Sequence, residues 1–223
     1  MERPVLNQAM EDYLRTIFDV LENKEWATTS DIAKAMKISA PSVTAMIKRL
    51  KKLKLVIYKP YQGVKLSSVG RRMALEIVRH HRLLELYLYE ALGVPWDLVH
   101  AEAEKLEHVL SEEIEERIAN ALGNPTCDPH GAPIPSKDGS IITVESRPLT
   151  AVESGETVTL VRVDDRVPEF LRFLAKHNLY PGTNLKVVEV EYQAGIVTLE
   201  VDNNKVALSQ KAATDIYVTI SAQ

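Results

Sequence analysis

Residues 99–111 read VHAEAEKLEHVLS, and within two helical turns they offer His100, Glu104, Glu107 and His108. Carboxylates and imidazoles ligate hard and borderline divalent cations, so the stretch reads as half of a metal site. It reads as well as the solvated face of a Glu-rich helix. At about 100° per residue, Val99, Ala103, Leu106, Leu110 and Ile114 form an apolar stripe, and Glu107, His100, Glu104 and His108 follow outward from its edge. That border is where a second helix can approach. The preceding helical stretch carries His81 and Glu85 at i, i+4, on one face, and Asp12 stands just before the apolar pair Tyr13-Leu14. Four of the six histidines, at 80, 81, 100 and 108, fall in the two central helices, and this clustering shifts the weight toward ligation.

The elements that must position these side chains can be read from patterning. Residues 6–23 place Met10, Tyr13, Leu14, Ile17 and Leu21 at helical spacing. Thr29-Ser30 opens a short helix, and Ser39 caps the next, with Pro41 in its first turn, where the missing N–H is not needed. Val43, Met46, Ile47 and Leu50 face inward on that helix. Two β-prone runs, 55–59 and 64–66, flank the turn Pro60-Tyr61-Gln62-Gly63 and predict a hairpin. A long helix then runs to Gly93 and Pro95, a further helix spans Trp96–Leu110, and Ser111–Leu122 continues or restarts it. Residues 123–140 hold four prolines and three glycines and predict a linker. Beyond them come five short β-rich runs, interrupted by a helix from Pro168 to His177, which predict a small barrel of SH3-like size. The expected class is mainly α with a C-terminal all-β domain: a winged helix-turn-helix over 1–73, a helical domain with its Pro-rich linker over 74–140, and an SH3-like barrel over 141–223.

Charge separates along the same boundary. Residues 1–73 carry fourteen Lys and Arg against seven Asp and Glu, whereas the whole chain has a net charge of −4. A basic module on an acidic body implies that the first meets a polyanion. Ser39, Ser42 and Thr44, with Pro41, lie at the start of the candidate recognition helix, and Thr29 starts the helix before it. Lys48, Lys51, Lys52, Lys59 and Lys65 stand where phosphates would pass. The expected partner is double-stranded DNA. No apolar run approaches a membrane span and MERPVLNQAMEDY lacks the apolar core of a secretory leader, so no membrane partner and a cytoplasmic location are expected. The single cysteine, Cys127, excludes an intrachain disulfide.

Five ordered stretches, MEDYLRTIF (10–18), SDIAKAMKISAPSVTAMIKRL (30–50), SVGRRMALEIVRHHRLLE (68–85), VHAEAEKLEHVLSEEIEERI (99–118) and CDPHGAPIP (127–135), resemble the diphtheria-toxin-repressor and manganese-transport-regulator family. The resemblance implies a metal-dependent bacterial transcription factor: a homodimer, joined through its helical domain, that binds a pseudo-palindromic operator, with a FeoA-like tail. It places a primary metal site on Asp12, His81, Glu104, Glu107 and His108, and a second on His81, Glu85 and His100. Asp164, Asp165 and Glu169 are the candidate ligands from the tail.

Two departures from the family pattern carry information. Iron-type members have methionine and cysteine where Asp12 and Glu104 stand here, and a set without sulfur suits Mn²⁺, with Fe²⁺ as the alternative. Manganese regulators with a paired-ion site carry a second acid one turn after the aspartate, and that position is Arg15. The resemblance implies repression of metal-uptake genes, and activation of export genes is equally compatible with these residues. The rivals of this reading are a metal-independent winged-helix regulator and a di-metal helical-bundle enzyme. The Glu-x-x-His signature of the latter is absent, because Lys105 and Val78 precede His108 and His81 by three. No nucleophile–base pattern stands out, and an enzyme is not expected.

Overall fold

A computed structural model describes residues 6–220, which divide into two compact units. The first takes the chain through His80 together with Glu107–Leu110 and Pro135–Ser140. The second takes His81–Leu106, Ser111–Ile134 and the chain from Ile141 on.

In the first unit, α1 (Gln8–Glu22) starts where the Asn7 side chain accepts from the Met10 N–H, and it buries Tyr13, Leu14, Ile17 and Phe18. Thr28 and Asp31 cap α2 (Thr29–Met36) reciprocally, each side chain accepting from the other's backbone N–H. Lys37 turns the chain in the left-handed region, and the Ser39 side chain then accepts from Ser42 N–H to begin α3 (Ala40–Lys52). Each helix therefore has its boundary set by a local side-chain cap. Strands β1 (Val56–Lys59) and β2 (Gly63–Leu66) pair antiparallel with Val56 opposite Leu66, and Ala27 bridges to Val64. Leu14, Ile17, Ile32, Val43, Leu50, Leu55 and Val64 are fully buried in this unit. Three helices and a two-stranded wing are the arrangement expected from the sequence.

The long helix α4 (Ser68–Glu90) leaves the wing with Gly70 in its first turn. A Cβ on Gly70 would lie 1.9 Å from the Leu55 carbonyl oxygen, so only glycine lets the helix start so close to the strand. The helix passes from the first unit to the second between His80 and His81.

The second unit continues with α5 (Val99–Leu106) and α6 (Glu112–Ala121). Here the structure corrects the expected helix over Trp96–Leu110, which begins three residues later and ends at Leu106, with a turn through Val109. The reason is local. The Ser111 side chain accepts from Ile114 N–H, and Glu112, Glu113 and Glu115 fill the first turn of α6, so a new N-terminus outcompetes a continuing helix. Glu107 and His108 consequently lie in a turn, not on a helical face.

The tail comprises β3 (Arg147–Pro148), a 3₁₀ turn (Leu149–Ala151), β4 (Thr157–Val163), α7 (Pro168–Lys176), β5 (Asn184–Glu191), β6 (Ile196–Val201), β7 (Asn204–Ser209), α8 (Gln210–Thr214) and β8 (Ile216–Ile220). The six strands form one antiparallel sheet in the order β3-β8-β4-β5-β6-β7. Inward alternation along β4 and β6 buries Val158, Leu160, Val197 and Leu199 with Leu171 and Leu174 of α7, and Trp96 joins this core. Neither β3 nor α8 is foreseen in the sequence, being two and five residues long.

The linker does not simply span a gap. Within it, the loop around Gly131 lies against β4: His130 O accepts from Val163 N–H at 3.0 Å, and a Cβ on Gly131 would meet Val161 O at 1.9 Å. Among the described residues, no helix is long and apolar enough to cross a membrane.

Alanine normally stabilises a helical position relative to glycine by about 1 kcal/mol. At Gly70 the sign inverts: Gly70→Ala destabilises the protein by about 1–3 kcal/mol, the cost of overpacking. A lowered denaturant midpoint at unchanged m-value checks this.

Candidate metal centres and nucleic-acid interface

Three groups of ligand-type side chains form, each within a single unit; the third, Glu85, Asp128 and His130, shares Glu85 with the second. In the first unit, Asp12, Glu107 and His108 bring one ligand atom each to within 4.8 Å of one another. Asp12 comes from the border of the buried face of α1; Glu107 and His108 come from the turn after α5. His108 Nε2 lies 2.9 Å from Asp12 Oδ1 and 3.3 Å from Glu107 Oε1. Its Nδ1 faces Glu11 Oε2 at 2.7 Å. A carboxylate only accepts, so Nδ1 carries the hydrogen and donates to Glu11. The ring's Nε2 faces two carboxylate oxygens, so the corner calls for a positive charge there, from a proton or from a cation. A carboxylate behind the imidazole and a lone pair in front is how metal-ligating histidines are held. Burial raises the Asp12 carboxyl above its usual value by more than His108 and Arg15 pull it down. Arg15 Nη1 donates to Glu107 Oε2 at 3.0 Å, so the position one turn after Asp12 supplies a cation to the buried Glu107.

In the second unit, His81, Glu85, His100 and Asp165 form a second group. Glu85 Oε1 lies 2.9 Å from both His81 Nε2 and His100 Nδ1, which are themselves 3.1 Å apart. Burial would raise the Glu85 carboxyl, but the facing imidazoles hold it well below the usual range. Glu85 Oε1 can accept from both rings, but a proton on each brings two N–H groups together across 3.1 Å. An octahedral ion with bonds of about 2.1 Å has neighbouring ligand atoms about 3.0 Å apart. The triangle therefore has the spacing of one octahedral face, in the two-histidine, one-carboxylate composition known for Fe²⁺ and compatible with Mn²⁺. Asp165 Oδ2 lies 3.1 Å from His100 Nδ1. Burial would lower the His100 imidazole, but Asp165 and Glu85 outweigh it and raise it to about 11, which marks a site that attracts positive charge.

The remaining ligand candidates have other partners. The Glu104 carboxylate stands 3.6 Å from His100 Nε2. Asp164 takes Arg166, whose Nε lies 2.9 Å from both of its oxygens, and Glu169 takes Arg172 Nη2 at 2.8 Å. Three residues enter the geometry without having been singled out as ligands: Glu11, Asp128 and His130. Glu11 is adjacent to Asp12, and the Asp-Pro-His-Gly run beside a glycine-rich turn was the available signal for the others.

The nucleic-acid candidates sit on the first unit. Ser39, Pro41, Ser42, Thr44, Lys48, Lys51, Lys52 and Lys59 are exposed, and Thr29 and Lys65 are half-buried. The hydroxyls of Ser39 and Ser42 lie 2.8 Å apart, and Thr44 Oγ1 donates to Ala40 O. Lys59 and Lys65 place their ammonium groups 4.9 and 4.5 Å from the Trp26 ring centre, and Lys65 also donates to Glu25 Oε1. Tyr61, at the wing tip in the left-handed region, is fully exposed.

Comparison with known proteins follows the same division. Residues 5–64 match the family described as iron dependent repressor, N-terminal DNA binding domain; residues 67–136 match the iron dependent repressor, metal binding and dimerisation domain; residues 147–220 match the FeoA domain. The iron-dependent repressor IdeR of Mycobacterium leprae is 37% identical over 158 residues, 68% of this chain and 69% of that protein. The HTH-type transcriptional regulator MntR of Bacillus velezensis is 37% identical over 114 residues, 51% of this chain and 80% of that protein. A solved manganese-dependent transcriptional repressor in complex with manganese superposes with a TM-score of 0.88 at 36% identity, covering 95% of this chain and 100% of that one. Two of these relatives are named as metal-dependent repressors and the third as a transcriptional regulator; none is named as an enzyme.

If Glu11 fixes the ring of His108, Glu11→Ala weakens Mn²⁺ binding at the Asp12 group about 10- to 100-fold, the usual effect of losing such a partner. Calorimetric titration of the chelator-stripped protein measures it, and Glu11→Gln, which keeps an acceptor, recovers part of the loss.

Proposed function

The chain belongs to the diphtheria-toxin-repressor and manganese-regulator family, and from that premise we propose that it is a divalent-metal-dependent DNA-binding repressor acting as a homodimer in the cytoplasm. The observation that carries this reading is the grouping of Asp12, on α1, with Glu107 and His108, in the turn after α5. We assign Mn²⁺ to it, with Fe²⁺ as the alternative, because every available donor is oxygen or nitrogen.

When bound, the ion supplies a doubly positive charge that these two segments share. Everything else is done by the chain. Glu11 keeps the His108 lone pair forward, Arg15 neutralises one oxygen of Glu107, and α1 packs on α2, α3 and β2, the elements that carry the DNA candidates. Tethering α1 to the turn restricts the orientation of α3. A metal that binds one arrangement better than the others shifts the population toward it. In a dimer this sets two α3 helices about 34 Å apart, one DNA turn, over a pseudo-palindromic operator. Ser39, Pro41, Ser42 and Thr44 are then the base-edge and phosphate contacts, and Lys48, Lys51, Lys52 and Lys59 neutralise phosphates. The His81, Glu85, His100 and Asp165 group is a second ion site, with Asp165 contributed by the tail. Metal-uptake genes are the proposed targets.

The test uses duplexes selected from a random pool by the Mn²⁺-loaded protein. Gel-shift titration with Mn²⁺ gives tight binding that chelator abolishes and that Asp12→Ala or His108→Ala prevents; metal-independent binding overturns the reading. With Mn²⁺ present, Lys48→Ala lowers the slope of log K against log salt by about 1, as expected for one lost phosphate contact.

A further inference from the structure

The wing tip holds a side chain in an unfavourable conformation that the fold does not use. Gln62 N–H donates to Lys59 O at 3.3 Å and closes a turn with Pro60 second and Tyr61 third. Tyr61 has a φ of +63°, and a turn with proline second and a positive φ third ordinarily takes glycine or asparagine there. A bulky residue in that region is an outlier. Its ring returns nothing to the packing, because Tyr61 is fully exposed. Such an outlier, with its side chain turned wholly to solvent, points to a contact made with something else.

Cations flank the tip on both faces of the hairpin. The register sets Ile57 opposite Lys65 and Lys59 opposite Gly63, so Ile57, Lys59 and Lys65 share one face, and Val56, Tyr58 and Val64 share the other. On the first face, Lys59 and Lys65 hold their ammonium groups 4.9 and 4.5 Å from the centre of the Trp26 ring. Glu25 accepts from Lys65 and offsets one of these charges. On the second face, Lys51, in the last turn of α3, stands 5.8 Å over the Tyr58 ring. An uncharged aromatic tip between two sets of cations matches a narrow groove with a phosphate wall on either side. The DNA minor groove, about 6 Å wide, is such a groove, and apolar side chains enter it where helices do not fit.

We propose that Tyr61 enters the minor groove beside the segment read by α3 and selects A·T pairs there. The inference rests on the DNA-binding reading above and adds to it a second groove and a residue that carries sequence preference. In the minor groove an A·T pair presents only acceptors, adenine N3 and thymine O2, to which the Tyr61 hydroxyl donates. A G·C pair adds the guanine amino group, which fills the floor of the groove where the ring would lie.

The test uses the Mn²⁺-loaded full chain and the duplex it selects from a random pool. Each A·T pair is changed in turn to G·C and to inosine·cytosine, which matches G·C in the major groove but lacks the minor-groove amino group. At one or more pairs in each half-site, G·C weakens wild-type binding roughly 5- to 10-fold and inosine·cytosine restores it. A major-groove contact from α3 would treat the two replacements alike. Tyr61→Gly supplies the residue this turn ordinarily takes, so the fold is kept, as circular dichroism checks. It binds the parent duplex roughly 10-fold more weakly and is indifferent to the replacements. Its slope of log K against log salt is unchanged, because a phenol neutralises no phosphate. Inosine·cytosine that behaves as G·C at every position overturns the proposal. So does Tyr61→Gly with wild-type affinity and preference, which would leave the tip to a protein partner. A Mn²⁺-loaded wild type that retains no duplex at all overturns the DNA-binding reading itself.

Discussion

Glu85 has no contact with solvent, its carboxyl is held well below the usual range by the facing imidazoles, and much of the second unit follows from that one constraint. Removing a carboxylate from water costs several kcal/mol after all relaxation, and the cost is recovered only by close positive charge and complete hydrogen bonding. Imidazoles from α4 and α5 supply part of it, which requires the two helices to approach within side-chain reach. Asp128 sharpens the constraint, because burial and the Glu85 charge raise its carboxyl well above the usual range. Two acids that cannot both ionise cheaply share one buried place. Glu107, whose side chain is 1% exposed, meets the same requirement in the first unit with an arginine and a histidine.

Arg15 changes the character of the Asp12 group. A guanidinium is always charged and, through its ion pair with Glu107, holds one carboxylate oxygen in a fixed direction. It partly occupies the electrostatic role that an added ion would take, so the group is organised before any ion arrives and its appetite for cations is moderated. The wing shows a related economy: Trp26 lies under two lysines at once, which keeps cationic side chains extended over an aromatic face.

The three N-terminal helices and the wing were legible because period and local punctuation coincide there. The Ser39 cap and the turn closed by Gly63 were read directly, whereas Asn7 and Thr28, which cap the first two helices, emerge only in the structure and reinforce the apolar period. Where period alone was used, it misled. The wheel that placed Glu107 and His108 on a helix border extended a helix past Leu106, and those residues approach Asp12 because the chain has left the helix. Asp128 and His130 were less legible still: residues two apart in a proline-rich loop have no period, and their convergence on Glu85 depends on the loop lying against β4. Asp164 and Asp165 differ by one position, and only the direction of the bend after β4 decides that the first takes Arg166 and the second faces His100. Two-residue β3 and five-residue α8 are too short to show any repeat.

The hydrogen bond between His130 O and Val163 N–H couples more than a loop to a strand. Asp165 follows two residues later, so the barrel and the helices contribute to one ligand set. A cation that gains Asp165 on docking binds the docked tail more tightly than the undocked one, and RT ln(1 + [ion]/Kd), about 2.7 kcal/mol at a hundredfold excess over Kd, is the upper bound on what it adds to docking. On the second-site reading proposed above, the small β domain is a gauge: its protection from proteases and from hydrogen exchange rises with the free metal concentration, whether or not DNA is present.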